Sequence, residues 1–239
     1  MTAAQPTVIL VHGAFADASC FRALYDELLN EDLTVIAPPN PLRGLTNGDG
    51  AYLRGVISEI DGPVLLVGHS YGGAVITAAG TADNVVGLVY LCGLAPDEGE
   101  NANDLQSAFP PPGIVPYIVA HQLDPDAGPE FTLAPEGFHE SFCADIPAGD
   151  ARFMAMAQRP LAGIALAEAA PAPAWRSRPS WGVLGTADRC IDPGVHRFSY
   201  KRMGAQEVTE LEGASHVVML SRPREVAAVV MTAVRSTTV

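Results

Sequence analysis

The stretch "PVLLVGHSYGG", residues 63–73, joins an apolar run to a turn that is rich in glycine. Gly68, Ser70 and Gly72 match Gly-x-Ser-x-Gly, the pattern of a serine at a sharp strand-to-helix turn. Glycines remove side chains that would collide in such a turn, and Gly73 lets the next helix lie close to the sheet. The surrounding sequence therefore predicts that Ser70 is a nucleophile rather than an incidental turn residue.

Apolar runs alternate with amphipathic stretches in both halves of the chain. Helical spacing of apolar residues follows the first run, as at Phe21, Leu24 and Leu28. Continuously apolar strands between amphipathic helices are typical of an α/β fold with a mainly parallel sheet. Six runs are predicted strands: "TVILVHG", "LTVIAPP", "PVLLVG", "VVGLVYLCGLAP", "SWGVLGT" and "EVTELEG".

Residues 98–178 interrupt this alternation. They hold many of the prolines, a weak strand-like pair around "FTLAPEGFHESF" and a helical "DARFMAMAQ". Ligands of α/β sheets bind at the carboxyl ends of the strands, so an insertion there would cover the site. We therefore predict an α/β core of residues 1–97 and 179–239 with a cap insertion of residues 98–178.

Composition and charge restrict the partners. The chain has 239 residues, of which 48% are hydrophobic, and a formal net charge of −13. Such acidity disfavours binding to nucleic acid or to an anionic membrane. We find no basic leader and no apolar stretch near the ~20 residues that span a bilayer, so we expect a cytoplasmic protein. The four cysteines are scattered without metal-ligand spacing, which predicts reduced, buried thiols and no metal site.

The base that activates Ser70 should be a histidine late in the chain. This turn pattern orders its partners as serine, then acid, then histidine. His216 in "LEGASHVVML" follows the sixth predicted strand, and Asp188 follows the fifth in "SWGVLGTADRCIDP". Asp192 is the alternative acid, although its position before Pro193 also suits a helix cap. We therefore predict a triad of Ser70, Asp188 and His216.

The other histidines have structural interpretations. His12 and His69 flank glycine turns, where we expect them to brace loops by hydrogen bonds. His121 and His139 lie in the insertion. His196 falls in the helical stretch "PGVHRFSYKRMG", where we expect a solvated helix face.

Backbone amides near Ser70 are the candidate oxyanion hole. In this turn pattern one donor is the amide after the nucleophile, here Tyr71, and the other comes from a loop after an early strand. That loop is "VHGAF", which favours the amide of Ala14, with Phe15 as the alternative. Phe15, Phe153 and Met154 are candidate substrate-binding side chains. Phe153, Met154 and Met156, at helical spacing, suit packing of the cap onto itself at least as well.

The chain resembles the small serine α/β-hydrolases, and in particular the plant methylesterase and hydroxynitrile lyase group with its bacterial relatives. The resemblance covers both sides of the insertion and implies a six-stranded parallel core, a cap over the serine and no cofactor. It is carried by "VILVHGAF", "PVLLVGHSYGG", "LVYLCGLAPDEGE", "GTADRCIDP" and "LEGASHVVMLSRPREVA".

The leading functional prediction is hydrolysis of a small or medium-sized carboxylic ester through an acyl-enzyme on Ser70. One alternative is carbon–carbon cleavage as in the hydroxynitrile lyases. Those enzymes carry a lysine just after the catalytic aspartate, where this chain has Arg189 and its only lysine is Lys201. Another alternative is a small-ligand receptor that keeps its triad. The sequence leaves the substrate's identity and the oligomeric state open.

Overall fold

The computed structural model of the protein describes residues 5–122 and 128–238. Within them the strands are β1 (Thr7–Val11), β2 (Val35–Ile36), β3 (Val64–His69), β4 (Val85–Leu91), β5 (Ile118–His121), β6 (Glu130–Leu133), β7 (Leu161–Ala162), β8 (Ser180–Gly185) and β9 (Glu207–Leu211). The α-helices are α1 (Arg22–Leu29), α2 (Ala51–Ser58), α3 (Tyr71–Ala79), α4 (Ala102–Ser107), α5 (Pro135–Phe142), α6 (Ala148–Ala157), α7 (Ile164–Ala167), α8 (Pro193–Arg202), α9 (Val218–Ser221) and α10 (Pro223–Thr237).

Six strands form one parallel sheet in the order β2-β1-β3-β4-β8-β9. Every residue of β3 and of β8 is buried, as expected for strands covered on both faces. Helix α3 packs on β1, β3 and β4, while α10 packs on β3, β4 and β8. The predicted six-stranded parallel sheet flanked by helices is thus confirmed. Because all its strands run the same way, their carboxyl ends meet at one edge.

The segment predicted as a cap builds a second, smaller sheet. Strands β5, β6 and β7 are antiparallel neighbours, and α4 to α7 surround them in sequence. The strand-like interpretation of "FTLAPEGFHESF" is half wrong, because only its start lies in β6 and the rest forms α5. Pro135 occupies the first turn of α5, where its fixed φ and missing amide are tolerated. The predicted helix in "DARFMAMAQ" is confirmed as α6.

The cysteines behave as the sequence predicted. Cys20, Cys92, Cys143 and Cys190 are all buried free thiols. A search of the described helices for one with the length and apolarity of a bilayer span finds none.

The turn after β3 passes so close to neighbouring backbone that side chains do not fit at its glycines. A Cβ atom at Gly72 would lie 2.1 Å from the carbonyl oxygen of Val11, and one at Gly73 would lie 2.6 Å from that of Leu94. At Gly68 the distance to the carbonyl oxygen of Gly72 would be 2.5 Å. The glycines of this turn are therefore needed for the approach of β1, β3, α3 and the segment after β4.

Replacing Gly72 by alanine should destabilise the fold, although alanine favours a helix. Helix propensity alone would stabilise the protein by about 1 kcal/mol. The clash with Val11 reverses the sign, and we expect a net loss of about 1–3 kcal/mol in the free energy of unfolding. Gly55→Ala in α2 is the matched control, because nothing lies within 4 Å of its added Cβ. Urea unfolding measures both variants, and equal stabilisation of the two would contradict this account.

Candidate active site

Ser70 lies between the last residue of β3 and the first residue of α3. Its φ of 55° and ψ of −125° belong to a region that residues other than glycine rarely adopt. Backbone hydrogen bonds hold it there: its amide donates to Leu91, and its carbonyl accepts from Gly73 and Leu94. A Cβ at Gly13 would lie 2.5 Å from that of Ser70, so the loop after β1 packs directly on the serine.

His216 and Asp188 meet at the carboxyl ends of β8 and β9. Nδ1 of His216 lies 2.7 Å from Oδ2 of Asp188, and both side chains are fully buried. The ionised carboxylate only accepts, so Nδ1 carries a proton, and in the neutral ring Nε2 is a bare acceptor. Nε2 has no hydrogen-bond partner among the described residues. The imidazole is therefore oriented and has a free lone pair, which is what a general base requires.

Ser70 and His216 are connected through His69. Nε2 of His69, the neighbour of Ser70, donates to the carbonyl oxygen of His216 at 3.0 Å. The hydroxyl of Ser70 makes no hydrogen bond to Nε2 of His216 in the described chain. Such contacts are often long in ligand-free sites and tighten when substrate binds.

Four donors surround the carboxylate of Asp188. Oδ1 accepts from the amides of Cys190 at 2.8 Å and of Ile191 at 3.0 Å. Oδ2 accepts from His216 and faces Nε2 of His196 at 3.4 Å. Burial opposes ionisation, but the interactions with His216 and His196 outweigh it and hold the pKa of Asp188 well below its usual range. Asp188 therefore stays ionised beside the imidazole.

Asp192, the alternative acid, has the capping role that its position suggested. Its Oδ1 accepts from the amide of Gly194 at 2.7 Å at the start of α8. The structure thus brings Asp188 rather than Asp192 to His216.

The environment of His216 favours its charged form. Burial alone would lower the pKa of this imidazole, but the carboxylate of Asp188 outweighs burial and raises it well above the usual value. His69 remains neutral because burial lowers its pKa. Burial also raises the pKa of the Cys92 thiol to about 11 and that of the Cys190 thiol, so both stay protonated. Asp188 is therefore the largest influence that raises the pKa of His216, and Cys190 adds to it.

The predicted cap segment holds the loop that carries His216. The ring of Phe142, at the end of α5, meets the imidazole edge-on with centroids 5.1 Å apart. Asp145 accepts hydrogen bonds from both the amide and the hydroxyl of Ser215. The sequence analysis did not identify either residue, because each contact joins segments about 70 residues apart.

Three backbone amides beside Ser70 are free to bind an anion. The amides of Ala14, Phe15 and Tyr71 donate no hydrogen bond within the described residues. All three residues line the same small cavity as Ser70. Phe15 has a φ of 57°, so the loop after β1 turns sharply beside the serine. Ala14 and Phe15 thus both remain candidate partners for the amide of Tyr71 in the predicted oxyanion hole.

The phenol of Tyr71 is hydrogen-bonded to Asp49, so only the backbone amide of Tyr71 is a candidate oxyanion donor. The phenol donates to Oδ2 of Asp49 at 2.7 Å, and Oδ1 of Asp49 accepts from the amide of Arg43. Burial raises the pKa of Asp49, although these hydrogen bonds partly oppose the effect. Asp49 fixes the Tyr71 side chain from within "LTNGDG", the short helical stretch that precedes α2.

A small cavity at Ser70 adjoins a larger apolar one. The small cavity has a volume of about 40 Å³. It shares four residues with a cavity of about 420 Å³, so a substrate would place its reacting group in the first and its remainder in the second. The shared residues are Phe15, Gln106, Ile114 and Leu166.

Phe153 and Met154 are not beside Ser70, which corrects the expectation for the pocket. Phe153 is 64% exposed, and Met154 is buried and lines a small cavity together with Ser19 and Cys20 of the short helix before α1. Both line a separate cavity between α6 and α1. Helix α6 thus faces the core through Met154, the packing role that its spacing also allowed.

His196 is buried rather than solvated, which is a second correction. None of it is exposed, and its ring stacks on Tyr200 with centroids 5.7 Å apart. The expectation failed because Asp192 lies just before α8, and Arg197, Lys201 and Arg202 follow His196 within the helix. The buried face of this helix includes Val195, His196, Ser199 and Tyr200, a helical spacing that the sequence could have disclosed.

Arg189 points to the surface. Its guanidinium pairs with Glu140 of α5 at 2.6 Å, and both side chains are more than half exposed. Its charge is therefore compensated on the outside of the protein.

Comparison with known proteins gives a family and a fold. A family model described as "Alpha/beta hydrolase family" matches residues 8–229. A pyrethroid hydrolase of Sphingobium wenxiniae is 33% identical over 140 residues, which cover 53% of this chain and 44% of that protein. A carbendazim hydrolyzing esterase of Nocardioides is 32% identical over 121 residues, or 44% of this chain and 49% of that protein. The matches thus span about half the length of these curated relatives.

Solved structures extend the similarity to nearly the whole chain. Polyneuridine aldehyde esterase superposes with a TM-score of 0.83 at 21% identity, covering 96% of this chain and 99% of that one. A methylesterase from Arabidopsis gives 0.80 at 19% identity, covering 97% and 99%. At these identities the likeness concerns the fold.

Replacing Asp188 by asparagine should lower the pKa of His216. An amide cannot stabilise the imidazolium as the carboxylate does, so the variant loses the imidazolium proton at lower pH than the wild type. The titration of the ring nitrogens by NMR measures this. Asp192→Asn is the control, because it removes a neighbouring carboxylate that caps α8, and it should leave His216 unchanged. A titration of His216 that is identical in all three proteins would contradict the assignment.

Proposed function

The chain belongs to the alpha/beta hydrolase family, and from that premise we propose that it is a serine hydrolase that cleaves a carboxylic ester without a cofactor. One observation carries the proposal. His216 is buried with Nδ1 on Asp188 and with Nε2 unpartnered, beside the strained serine at the same edge of the sheet. This is the arrangement that turns a serine hydroxyl into a nucleophile.

In the first half of the reaction Ser70 is acylated. Oγ of Ser70 attacks the carbonyl carbon of the ester while Nε2 of His216 takes the hydroxyl proton. The amides of Tyr71 and Ala14 bind the oxyanion of the tetrahedral intermediate. When the intermediate collapses, the imidazolium gives its proton to the departing alcohol, and the acyl group remains on Ser70.

The second half reverses these roles with water. Nε2 of His216 takes a proton from a water molecule, whose oxygen attacks the acyl carbon. The second tetrahedral intermediate releases the carboxylic acid, and the proton returns to Oγ of Ser70. Asp188 stays ionised throughout and stabilises the imidazolium in both halves.

The cavities favour a neutral and largely apolar substrate. Phe109, Pro111, Pro112 and Val115 line the larger cavity, and Asn103 and Gln106 add amide groups. The two curated relatives are named for hydrolysis of a pyrethroid and of carbendazim. A small or medium-sized ester with an apolar remainder is therefore the substrate class that we propose.

Lyase chemistry lacks its cation in this geometry. Arg189 stands where the hydroxynitrile lyases carry a lysine, and it pairs with Glu140 at the surface. The guanidinium stays charged, but this pairing holds it at the surface, and Arg189 does not line the cavity at Ser70 where a leaving cyanide would form.

Turnover of p-nitrophenyl esters should depend on Ser70 and His216. We expect Ser70→Ala and His216→Ala each to lower kcat/KM by about 10⁴-fold or more, because the two residues act as one unit. The assay is release of p-nitrophenol from esters with acetyl to long acyl chains.

Two control variants each remove a serine or a histidine that lies outside the candidate active site. Ser58→Ala replaces an exposed serine of α2, and His121→Ala replaces a histidine of the cap strand β5. Both should keep wild-type rates. Full activity in Ser70→Ala would refute the proposed mechanism, and ligand-induced stabilisation without turnover would favour a receptor.

Leu166 should limit the size of the substrate. It borders both the small cavity at Ser70 and the larger one, so Leu166→Ala widens the passage between them. We expect the ratio of kcat/KM for bulky over acetyl esters to rise about tenfold. Ile164→Ala in the same helix is the control, because Ile164 is exposed and lines neither cavity. An equal change in both variants would show that the cap is loosened generally.

A further inference from the structure

Asp188 contacts a second histidine that the reaction described above does not use. Nε2 of His196 faces the same carboxylate oxygen that accepts from His216, at 3.4 Å. His196 comes from α8, whereas His216 follows β9, so two separate elements converge on one oxygen. Both imidazoles are completely buried.

We propose that His196 is a positioning residue, which fixes the carboxylate of Asp188 and moderates how strongly it holds a proton on His216. This role rests on the proposed ester hydrolysis, in which His216 must give up that proton in every cycle. His196 touches neither substrate nor Ser70 in this role and acts only through Asp188.

The first part of the proposal follows from the geometry of the carboxylate. The amides of Cys190 and Ile191 hold Oδ1, and without His196 the other oxygen would have His216 as its single partner. A second donor on Oδ2 resists rotation of the group about its Cβ–Cγ bond. The imidazole of His216 then keeps the orientation that the proposed proton transfer from Ser70 requires.

The second part follows from the charge. A hydrogen bond to an ionised oxygen draws on its negative charge, and two donors on Oδ2 share that charge. Without His196, the whole negative charge of Oδ2 acts on His216. The imidazolium then becomes more stable, and His216 needs a higher pH before it can act as a base.

Other groups around the two imidazoles do not compete with this effect. The titratable groups near His216 are Asp188, His69 and the thiols of Cys20, Cys92, Cys143 and Cys190. Asp145 also lies near, on the amide and hydroxyl of Ser215, and it is present equally in the wild type and in His196→Phe. Burial raises the pKa of every one of these thiols and lowers that of His69, so they are uncharged. His196 faces Asp188 and the phenol of Tyr200, whose pKa burial raises well above its usual value.

Simple core packing does not account for His196. Nδ1 of its ring is buried and has no partner among the described residues. An unmet polar atom in the interior destabilises the fold, whereas an apolar side chain of similar size would avoid that cost. The contact from Nε2 to Asp188 is the interaction that the histidine offers and an apolar residue does not.

The test compares His196→Phe with His196→Gln. Phenylalanine keeps the ring and removes the donor, while glutamine retains an N–H donor. We expect His196→Phe to shift the acid limb of the kcat/KM profile upward by about half a pH unit. Its kcat should fall about tenfold with KM unchanged, and His196→Gln should recover the wild-type limb and most of the rate. An acid limb that stays in place in His196→Phe would overturn the proposal, since a purely structural role changes stability but not this limb.

NMR of the histidine rings gives a readout that needs no activity. In the wild type, Nε2 of His196 should carry a proton, and a bare Nε2 there would overturn the proposal even if His196→Phe failed to fold. In the folded variant, the titration of His216 should move upward as the acid limb does. If the wild type hydrolysed no ester, or if Ser70→Ala remained active, the proposed function would fail while these NMR outcomes still decided the role of His196.

Discussion

The strained turn at Ser70 is the constraint on which the rest of the structure depends. Its left-handed φ is compatible with folding only because β1, β3 and the segment after β4 fix the backbone from several sides. That convergence requires close backbone contact, which is why Gly13, Gly72 and Gly73 leave no room for a Cβ. The packing of the central sheet thus holds the strained backbone of Ser70 in place. As a result, its hydroxyl lies at the carboxyl ends of the strands and not inside a helix.

The parallel sheet also brings Asp188 and His216 to that edge. Strands β8 and β9 end beside β3 and β4, so the residues that follow them meet without any long excursion of the chain. Asp188 becomes the centre of this region because four donors converge on it, and its charge survives burial only through them. The same carboxylate determines the tautomer of His216 and its affinity for a proton, so orientation and basicity of the proposed base are controlled together.

The features that the sequence predicts correctly are those determined by residues close together in the chain. The buried strands are continuous apolar runs, and the turn at Ser70 needs small residues at fixed spacing. Neighbouring residues therefore determine both features. It failed for His196 and Phe153, because the side of a helix that faces the core depends on distant partners. Asp49 and Asp145 went unrecognised for the same reason: their partners lie 22 and 70 residues away along the chain. From the sequence alone, a carboxylate in a loop is expected to face solvent, because the residue that donates a hydrogen bond to it is not known.

The predicted cap has two tasks that fall to different elements. Gln106 of α4, Ile114 and Leu166 of α7 line the cavities, whereas Phe142 of α5 and Asp145 hold the loop of His216. Substitutions in the cavity wall therefore need not disturb the base, and the cavity can change shape while the proposed catalytic geometry is kept. The insertion can therefore vary on its cavity side alone while the same hydrolase fold is kept.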